Sequence, residues 1–333
     1  MMVEFKRLPL DQIKWEELDR FWDRTVYQTL PSIRYIQKTQ SAEPVVAAIE
    51  QSGELIGYFT GLLVRKFGVK ILGSPFSGWT TSYMGFNLLS EYNRRDVLKA
   101  FPSFVFNQLK CHHFEIVDRY IKEEDYIGLD YSVSLERGFE IDLTKSEDEL
   151  FSNMKSACRR CIRKAKKNGV FIEETRDMGF VNDYYDQLLE VFAKRSLVPT
   201  YPKKRVQELI TNLLPTGNLL LLRARNEDGL CIATGIFPAF NDIMVFWGGA
   251  SWREHQMLRP NELIIWYAMK YWKDRGIKRF DMGGGGSYKM KYGGSIISVS
   301  RLMMGKYRIM YPLRDLARKM VRTRQIAMGH MRR

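Results

Sequence analysis

The chain has 333 residues, of which 45% are hydrophobic and 27% are charged. This balance is that of a globular protein and excludes a disordered, collagen-like or low-complexity chain. At about 100–200 residues per domain, the length predicts two domains. Lysine and arginine outnumber the acidic residues by 52 to 38, which gives a net charge of +14. Such an excess attracts nucleic acid, anionic membranes or phosphorylated small molecules.

Cysteine use and the N-terminal sequence indicate the compartment. Four cysteines are too few for a disulfide-linked scaffold. The first 20 residues are charged throughout and lack the apolar core of a signal peptide. No run approaches the roughly 18 apolar residues of a membrane-spanning helix. We therefore expect a cytoplasmic protein with reduced cysteines.

Apolar runs in the first half predict four strands and one helix. These are the strands Pro44–Ile49, Leu55–Val64, Val69–Leu72 and Phe114–Val117, and the helix Tyr92–Leu109. A turn sequence at 51–54 indicates that the first two strands form a β-hairpin. Pro102 is expected to kink or split the helix, because proline has no backbone N–H to donate.

The second half repeats this order of elements. The predicted strands are Leu219–Ala224, Leu230–Phe237, Ile243–Trp247 and Arg279–Met282, and the helix runs from about Asn261 to Asp274. We therefore predict an α/β (α+β) fold of two tandem modules, each a mixed, mostly antiparallel sheet flanked by helices. The modules are expected at residues 1–143 and 144–311, with a tail at 312–333.

A strongly basic helix follows the predicted boundary. Ser146 and Glu149 form a capping-box pattern before it, and apolar residues recur at helical spacing from 150 to 167. The opposite face carries seven cations and no acid: Lys155, Arg159, Arg160, Arg163, Lys164, Lys166 and Lys167. We interpret this face, above all its first three arginines, as a substrate-binding surface for a phosphate-bearing partner. The alternative is a solvated face of a basic protein.

Cys158 and Cys161 lie on the apolar side of this helix. A structural zinc site needs about four ligands, and the only other cluster of suitable residues is Cys111-His112-His113. We therefore expect the two cysteines to pack in the core and expect no metal site.

The most informative segment is 279–294, in which a strand leads into four consecutive glycines, Gly283 to Gly286. Four glycines permit a close approach of the backbone to another group. The spacing excludes both the P-loop and the dinucleotide-binding glycine motif, because Tyr288 and Lys289 do not fit either pattern.

We predict that the glycines belong to a flexible loop with catalytic and binding side chains. Lysine can neutralise charge in a transition state and tyrosine can protonate a leaving group, so Lys289 and Tyr288 are predicted as catalytic. Lys291 and Tyr292 are predicted to bind substrate. The alternative is a tight turn whose lysines are merely exposed.

Three segments together resemble the Fem-type branch of the GNAT acyltransferase superfamily, which includes peptidoglycan-bridge aminoacyl transferases and acetyltransferase-like proteins of envelope-polysaccharide loci. They are the basic helix ending ACRRCIRKAKKNGVFIEE, the segment LRPNELIIWYAMKYWKDRGIKRFDMGG and the closing YKMKYGG. The resemblance is clearest from about Leu150 to Gly305. It implies two GNAT-like modules, the second catalytic, and transfer of an acyl group from a thioester or aminoacyl ester to an amine.

The resemblance also implies a donor site in a V-shaped split between neighbouring strands, against the start of a helix. The residues implied in donor binding are Trp247, Gly248, Gly249, Arg259, Asn261, Gly283 and Gly284, and the Fem-type lysine falls on Lys289. Helix N-termini hold phosphates, and N–H groups beside the split can stabilise an oxyanion. The pyrophosphate signature of acetyl-CoA users is absent, because residues 253–261 contain no glycine. Aminoacyl-tRNA therefore stays as an alternative to an acyl-CoA donor.

Further acid–base candidates lie close in sequence. His255 titrates near neutrality when unperturbed, and Asp281 precedes the glycines; we predict both as catalytic. Glu254 and Glu262 are nearby carboxylates. Each has a structural alternative: surface exposure for His255, a strand-end hydrogen bond for Asp281, and a favourable charge at the helix start for Glu262.

The tail at 312–333 alternates apolar and basic residues at helical spacing. Basic amphipathic helices bind membrane surfaces or anionic partners, so we predict a peripheral contact with the inner membrane face. A helix packed on the preceding domain is the alternative.

These observations lead to one main hypothesis and two alternatives. We expect an N-acyltransferase that moves an acyl group from an acyl-CoA-type thioester to an amine of a small or lipid-linked anionic precursor of the cell envelope, a sugar or a peptide. An aminoacyl-tRNA-dependent Fem-type transferase is one alternative, although no long heptad run predicts a coiled-coil arm. A non-catalytic protein that binds polyanions or membranes is the other, and it predicts salt-dependent binding without acyl turnover.

Overall fold

A computed structural model describes residues 2–66, 68–194, 196–307 and 310. The strands in these residues are β1 Val3–Leu8, β2 Glu43–Gln51, β3 Glu54–Lys66, β4 Val69–Ser74, β5 Gly85–Leu88, β6 His113–Val117, β7 Ser132–Asp142, β8 Phe171–Glu174, β9 Leu219–Arg225, β10 Cys231–Phe240, β11 Ile243–Val245, β12 Gly248–Ser251, β13 Arg279–Gly284 and β14 Ser295–Gly305. The α-helices are α1 Trp15–Leu18, α2 Leu30–Gln40, α3 Arg94–Ser103, α4 Glu123–Tyr126, α5 Glu147–Asn153, α6 Ser156–Lys167, α7 Phe180–Ala193, α8 Lys203–Leu213 and α9 Pro260–Lys273.

The chain divides into two compact units. Among the described residues, unit 1 comprises those up to 136 together with those from 298 onward, and unit 2 comprises 137–297. This division differs from the expected modules at 1–143 and 144–311. The difference at the C-terminal end arises because β14 pairs with β6, and the Arg301 guanidinium lies 3.2 Å from the Glu115 carboxylate. The predicted tail at 312–333 lies outside the described residues.

Both units contain the predicted order of hairpin, third strand, helix and final strand. The sheet of unit 1 runs β1-β2-β3-β4-β6-β14, with β5 also on β3, and the sheet of unit 2 runs β7-β13-β11-β10-β9-β8, with β12 also on β10. In each unit one pair is parallel, β4 with β6 and β11 with β13, and the other pairs are antiparallel. The prediction of two mixed, mostly antiparallel sheets flanked by helices is therefore confirmed.

The hairpin of β2 and β3 shows how the sequence directs local structure. Ser52 and Gly53, between the strands, have φ angles of 54° and 86°. Two consecutive left-handed residues form the type of tight turn that matches the twist of the flanking strands. The predicted turn is thus confirmed.

Pro102 changes the helix in which it lies, as its missing N–H predicts. The regular α-helix α3 ends at Ser103, and residues 104–108 form a π-helical turn. The carbonyl of Leu98, which proline leaves without its helical donor, accepts a hydrogen bond of 2.8 Å from the Tyr131 hydroxyl. A side chain from elsewhere in unit 1 therefore satisfies the group that the proline leaves open.

In unit 2, helices cover both faces of the sheet. The adjacent β10 residues Thr234 and Gly235 point to opposite faces: the Thr234 hydroxyl donates to Gln187 of α7, and Gly235 lies against Ile264 of α9. The α9 face holds the larger described core, to which Phe237, Phe280 and residues of α6 contribute. The α7 face therefore lies opposite the main core.

The basic helix is shorter than predicted. The Ser146–Glu149 capping box is present, but the chain leaves the helix at Met154, whose backbone is extended, and α6 begins at Ser156. The interruption occurs because Met154 is buried and the next amide, of Lys155, donates to the carbonyl of Lys291. Tertiary packing thus overrides the continuous helical pattern.

Cys158 packs in the core as expected, whereas Cys161 does so only in part. Cys158 is buried, with its sulfur 3.9 Å from that of Met154, and Cys161 is half-buried. Among the described helices, none combines the length and apolar character that a bilayer crossing requires.

Candidate active site

A split between two strands of unit 2 forms the centre of the candidate site. β11 pairs in parallel with β13 over three residues, ending at Val245 opposite Asp281, and the next amide, of Phe246, donates to the Asp281 carbonyl at 2.9 Å. Beyond this point the chain continues as β12, which pairs with β10. We call the gap between β12 and the end of β13 the unit 2 split. The predicted strand Ile243–Trp247 therefore ends earlier, at Val245, and a separate strand, β12, begins at Gly248 where the split opens.

The edge of β12 presents backbone N–H groups to the unit 2 split. The amide of Trp252 donates to Ile232 on β10 at 3.1 Å. Because an antiparallel ladder alternates, the amides of Gly249 and Ser251 face away from β10 and toward the split. In the described part of the chain, no side chain accepts a hydrogen bond from either amide, and Gly249 is exposed. Two donors thus line one wall of the split.

Neighbouring side chains leave too little room for a Cβ at either glycine of β12. A Cβ on Gly248 would overlap the hydroxyl of Tyr184, which belongs to α7. A Cβ on Gly249 would lie 2.9 Å from the ring of Phe246. The Tyr184 hydroxyl also lies 2.7 Å from that of Tyr201. No local motif marks these tyrosines, because Tyr184 lies on α7 and Tyr201 lies in the segment between α7 and α8, and only tertiary packing brings them together.

Asp281 lies at the apex of the split and is fully buried. Its Oδ1 accepts a hydrogen bond of 2.6 Å from the amide of Gly283, whereas its Oδ2 has no hydrogen-bond partner among the described residues. Phe280 and Met282 point into the main core, so Asp281 points to the α7 face. A buried carboxylate oxygen without a donor is costly unless a ligand supplies one.

Trp247 offers the complementary group near the same apex. Its indole ring is buried between the rings of Tyr184 and Tyr201, at centroid distances of 6.3 Å and 5.3 Å. Its Nε1 has no hydrogen-bond acceptor among the residues that the structure describes. Trp247 therefore adds an unsatisfied buried donor one residue beyond Phe246, whose amide bonds the Asp281 carbonyl.

Lys289 holds the glycine segment in place. Its Nζ donates to the carbonyls of Met282 at 2.5 Å and of Gly284 at 2.7 Å. Burial lowers the pKa of Lys289, and the charge of Asp281 opposes that lowering. The sequence predicted a flexible loop here, but residues 287–292 form a short 3-10 helix. The buried lysine therefore fixes the turn at the end of β13.

The glycines of this turn take backbone angles that other residues avoid. Gly283, Gly285 and Gly286 have φ values between 64° and 71°, and Gly284 to Gly286 are exposed. A side chain at the first, third or fourth position would strain the turn. The tetraglycine thus provides an accessible backbone surface beside the split.

The remaining residues of the segment take different positions. Tyr288 is 53% exposed, whereas Tyr292 is buried in the main core. Lys291 lies between them, with its Nζ 2.7 Å from the Glu262 carboxylate and 5.1 Å from the Tyr292 ring centroid. The structure therefore places Tyr288 at the surface and Tyr292 in the main core.

The start of α9 lies beyond β12. Pro260 occupies the first turn, Arg259 before it has a φ of 62°, and no side chain caps the helix. Free N–H groups at a helix start fit a phosphate, and the half-buried Arg259 adds a positive charge. Asn261 is exposed and its amide group donates to the Ser251 hydroxyl at 3.1 Å. The local residues therefore fit a phosphate-bearing donor, although residues 253–261 contain no glycine.

His255 lies in the segment that joins β12 to α9. It is half-buried, and its Nε2 lies 3.3 Å from the carboxylate of Glu254. The short 3-10 turn that follows holds it before the helix. Its contact is with a neighbour in sequence rather than with Asp281 or Lys289.

The cationic face of α6 is exposed. Of the seven basic residues at 155–167, all but Arg159 are exposed, and none forms a salt bridge with another described residue. Arg159 donates to the Ser152 carbonyl at 2.7 Å, and the Arg163 guanidinium lies 5.3 Å from the Phe151 ring centroid. Like charges this close repel one another. The surface is therefore suited to an anionic partner.

Comparisons with known proteins agree with this geometry. Residues 152–292 match the family described as acetyltransferase (GNAT) domain, and the match lies within unit 2. No curated protein matches the sequence significantly. The crystal structure of FemX is similar with a TM-score of 0.74 and 13% identity, and the alignment covers 94% of this chain and 99% of FemX.

Two further solved structures share the fold at lower similarity. A tandem GNAT protein from the clavulanic acid biosynthesis pathway aligns with a TM-score of 0.55 and 10% identity, over 91% of this chain and 98% of that protein. The C-terminal domain of a putative lysylphosphatidylglycerol synthetase from Agrobacterium fabrum aligns with a TM-score of 0.53 and 8% identity, over 78% and 84%. Residues 152–292 are therefore similar to the acetyltransferase (GNAT) domain family, and the chain shares the fold of FemX and of a tandem GNAT protein.

Proposed function

We propose that the protein is an N-acyltransferase whose reaction takes place in the unit 2 split. The observation that carries the proposal is the apex of the split, where the buried Oδ2 of Asp281 has no donor among the described residues. The amides of Gly249 and Ser251 line the adjoining wall. A site with an unsatisfied buried acceptor and free backbone donors suits an amine and a carbonyl compound held side by side.

The chemistry assigned to these groups is aminolysis. The amine nitrogen attacks the donor's carbonyl carbon, so a C–N bond forms and the bond from that carbon to the leaving sulfur or oxygen breaks. The proton lost by nitrogen passes to Asp281 Oδ2, and the leaving group takes up a proton from the Tyr288 hydroxyl or from water. The N–H of Gly249 stabilises the charge that develops on the carbonyl oxygen.

Lys289 acts in this proposal mainly as a positioning residue. Its two hydrogen bonds fix the carbonyls of Met282 and Gly284, and through them the backbone that holds Asp281. The charge of Asp281 opposes the lowering of the Lys289 pKa by burial, which favours the charged form of the lysine. The positive charge of Lys289 would also stabilise, from a distance, the negative charge that develops in the transition state.

For the donor we propose an acyl-CoA-type thioester. Its phosphates would be held by Arg259 and by the free amides at the start of α9, including that of Asn261. The carboxylate of Glu262 in this turn would not repel them strongly, because Lys291 neutralises it at 2.7 Å. Such a donor supplies an acyl group whose carbonyl carbon is activated, by the thioester bond, toward attack by the amine.

An aminoacyl-tRNA donor is the second candidate. The observation that favours it is the length of the cationic face: α6 has 12 residues, about 18 Å at 1.5 Å per residue. A polyphosphate chain matches this row of charges better than one coenzyme does. Whichever of the two donors is used, phosphates of that donor or of an anionic acceptor would contact Arg159, Arg160 and Arg163.

For the acceptor we propose an amine on an anionic sugar or peptide precursor of the cell envelope, small or lipid-linked. The resemblance to the Fem-like branch and the exposed cations of α6 support this class. The buried carboxylate of Asp281 favours an amine over a hydroxyl group, because the amine arrives as an ammonium ion. The ammonium loses one proton to water before it attacks, and the second proton passes to Asp281 Oδ2.

Native mass spectrometry of the purified protein tests the donor. Acetyl-CoA, longer acyl-CoA thioesters and aminoacyl-tRNA would each be added, and hydrogen exchange at residues 248–251 would be followed in parallel. We expect one class to bind and to slow exchange at Gly249 and Ser251. Binding that leaves these amides unchanged would contradict the proposed site, and retention of an acyl thioester from the cell would identify the donor directly.

A further inference from the structure

Unit 1 contains a split of the same construction as that of unit 2. β4 pairs in parallel with β6 as far as Ser74 opposite Ile116. After the intervening loop, the amide of Met84 donates to the Val117 carbonyl at 3.0 Å, and the chain then continues as β5 on β3. We call the gap between β5 and the end of β6 the unit 1 split.

The edge of β5 also directs two amides into its split. The Leu89 amide donates to Ile56 on β3 at 3.0 Å. By the alternation of an antiparallel ladder, the amides of Phe86 and Leu88 face away from β3. They correspond to those of Gly249 and Ser251 in unit 2.

In unit 1 these two donors are already satisfied. The Phe86 amide donates to Asp118 Oδ2 at 3.0 Å, and the Leu88 amide donates to Asp23 Oδ2 at 3.0 Å. Arg94, at the start of α3, forms ion pairs with both carboxylates, at 3.3 Å to Asp118. Both aspartates are buried, at 1% and 2% exposure. The chain's own carboxylates thus occupy the edge that unit 2 leaves open.

A second layer of buried polar groups holds this arrangement. The Asn87 side chain donates to Asp23 Oδ1 at 3.3 Å and accepts from the Arg24 guanidinium at 3.2 Å. The Arg24 guanidinium in turn forms an ion pair of 2.6 Å with the Asp19 carboxylate. These contacts all form within unit 1, and they pair the buried charges as burial requires.

A glycine makes room for the inserted carboxylate. Gly85 begins β5 with a φ of 91°, and a Cβ at this position would lie 2.6 Å from the Cβ of Asp118. The Asp118 side chain therefore fits beside β5 only because residue 85 has no Cβ.

From this contrast we propose that the unit 1 split is a self-ligated anion site, closed by Asp118 and Asp23. It binds a carboxylate, but that carboxylate is intramolecular, so unit 1 takes no acyl donor and each chain binds a single donor in unit 2. The statement about stoichiometry rests on the proposed function. The statement about the closed carboxylate site does not.

Chemical rescue tests the closed site. Asp118→Ala removes the internal carboxylate, and formate is small enough to replace it on the Phe86 amide and Arg94. We expect 100 mM formate, compared with chloride at equal ionic strength, to raise the melting temperature of Asp118→Ala by several degrees more than that of the wild type. Asp125→Ala, which removes a buried carboxylate that accepts from the Lys122 amide at 2.7 Å, is the matched control and should show no such gain. Equal formate effects in both variants would overturn the proposal.

Two measurements on the unaltered protein keep the proposal testable if the variant does not fold. Hydrogen exchange at Phe86 and Leu88 should be at least 100-fold slower than at Gly249 and Ser251, and the opposite order would overturn it. Native mass spectrometry with acetyl-CoA should show one bound molecule per chain. Two bound molecules per chain, together with slower hydrogen exchange at both 248–251 and 86–88, would overturn the proposal. Absence of any donor binding would contradict the donor assignment alone and leave the exchange and formate results to decide this proposal.

Discussion

Lys291 Nζ lies 2.7 Å from the carboxylate of Glu262. This ion pair joins the 3-10 turn after the tetraglycine to the first turn of α9, which are the two segments that border the proposed donor site. Only 28% of the Lys291 side chain and 11% of the Glu262 side chain are exposed. Solvent therefore screens the pair less than it screens a surface pair.

Removal of one partner should destabilise unit 2. We expect Lys291→Met to lower the free energy of unfolding by about 1–3 kcal/mol, because it leaves a mostly buried carboxylate unpaired. The pair of Lys270 with Glu147, at 4.0 Å and more exposed, is the matched control, and Lys270→Met should cost no more than about 1 kcal/mol. Urea unfolding of both variants measures the difference, and equal costs would show that the first pair does not hold the site.

The contact of Tyr184 with Gly248 predicts a specific rescue. Gly248→Ala should lower the free energy of unfolding by about 1–3 kcal/mol, because the new methyl group overlaps the Tyr184 hydroxyl. Tyr184→Phe removes that hydroxyl, so the double variant should be more stable than Gly248→Ala alone. Thermal unfolding of the two single variants and the double variant tests this. A double variant less stable than either single variant would contradict the assigned contact.

Charge reversal on α6 should weaken binding of the anionic partner. Arg160→Glu, Arg163→Glu and Lys164→Glu together reverse three charges and lower the net charge of the exposed face by six units. We expect at least a tenfold loss of affinity at low salt for the polyanionic donor or acceptor. The effect should shrink at high salt because ions screen exposed charges.

The control for this experiment carries the same change elsewhere. Lys66, Lys194 and Lys204 are exposed and lie outside α6, so their reversal to Glu tests net charge alone. An equal loss of affinity in both triple variants would show that overall charge, and not the α6 face, attracts the partner.

Burial predicts the reactivity of the cysteines. It raises the pKa of Cys158 to about 12 and the pKa values of Cys111 and Cys231 to about 11. These thiols should therefore resist iodoacetamide at pH 8 in the folded protein, whereas the half-buried Cys161 should react first. Because unfolded thiols ionise at lower pH than these buried ones, their contribution to stability is present below about pH 9 and is lost as the pH rises further. Mass spectrometry of labelled peptides reads out the order, and early labelling of Cys158 would contradict the described packing.

The order of elements was predictable from sequence because local signals specify it. The turn at Ser52 and Gly53, the capping box at Ser146 and the change in the helix at Pro102 all follow from residues close together in the chain. Alternating and helical patterns of apolar residues then identify the strands and helices between them. These features are decided by short-range sterics and hydrogen bonding, which a single sequence displays.

The parts that depend on tertiary contacts were not predictable in this way. The interruption at Met154 reflects a hydrogen bond to a residue far along the chain. The separation of β11 from β12 depends on which partner each segment pairs with, and the closeness of Tyr184 to Gly248 depends on how α7 packs. The closure of the unit 1 split likewise brings Asp23 and Asp118 together across 95 positions of sequence.

The candidate site likewise has some features that the sequence predicts and others that only the tertiary structure shows. Asp281 and the glycines were identified from sequence, but the unsatisfied, buried Oδ2 of Asp281 and the buried position of Tyr292 appear only in three dimensions. Lys289, expected to act in a mobile loop, instead ties the backbone of the turn. Its proposed role therefore includes positioning as well as charge.

The most direct test of the central claim is acyl transfer by Asp281→Asn. The variant keeps the size of the side chain and the acceptor for the Gly283 amide but cannot take up a proton. With the donor that binds, we predict a rate of amide formation at least about 100-fold below that of the wild type, with donor affinity retained, whereas Asp274→Asn, at an exposed position, should transfer normally. Wild-type rates from Asp281→Asn would contradict the proposal that chemistry takes place at the apex of the unit 2 split.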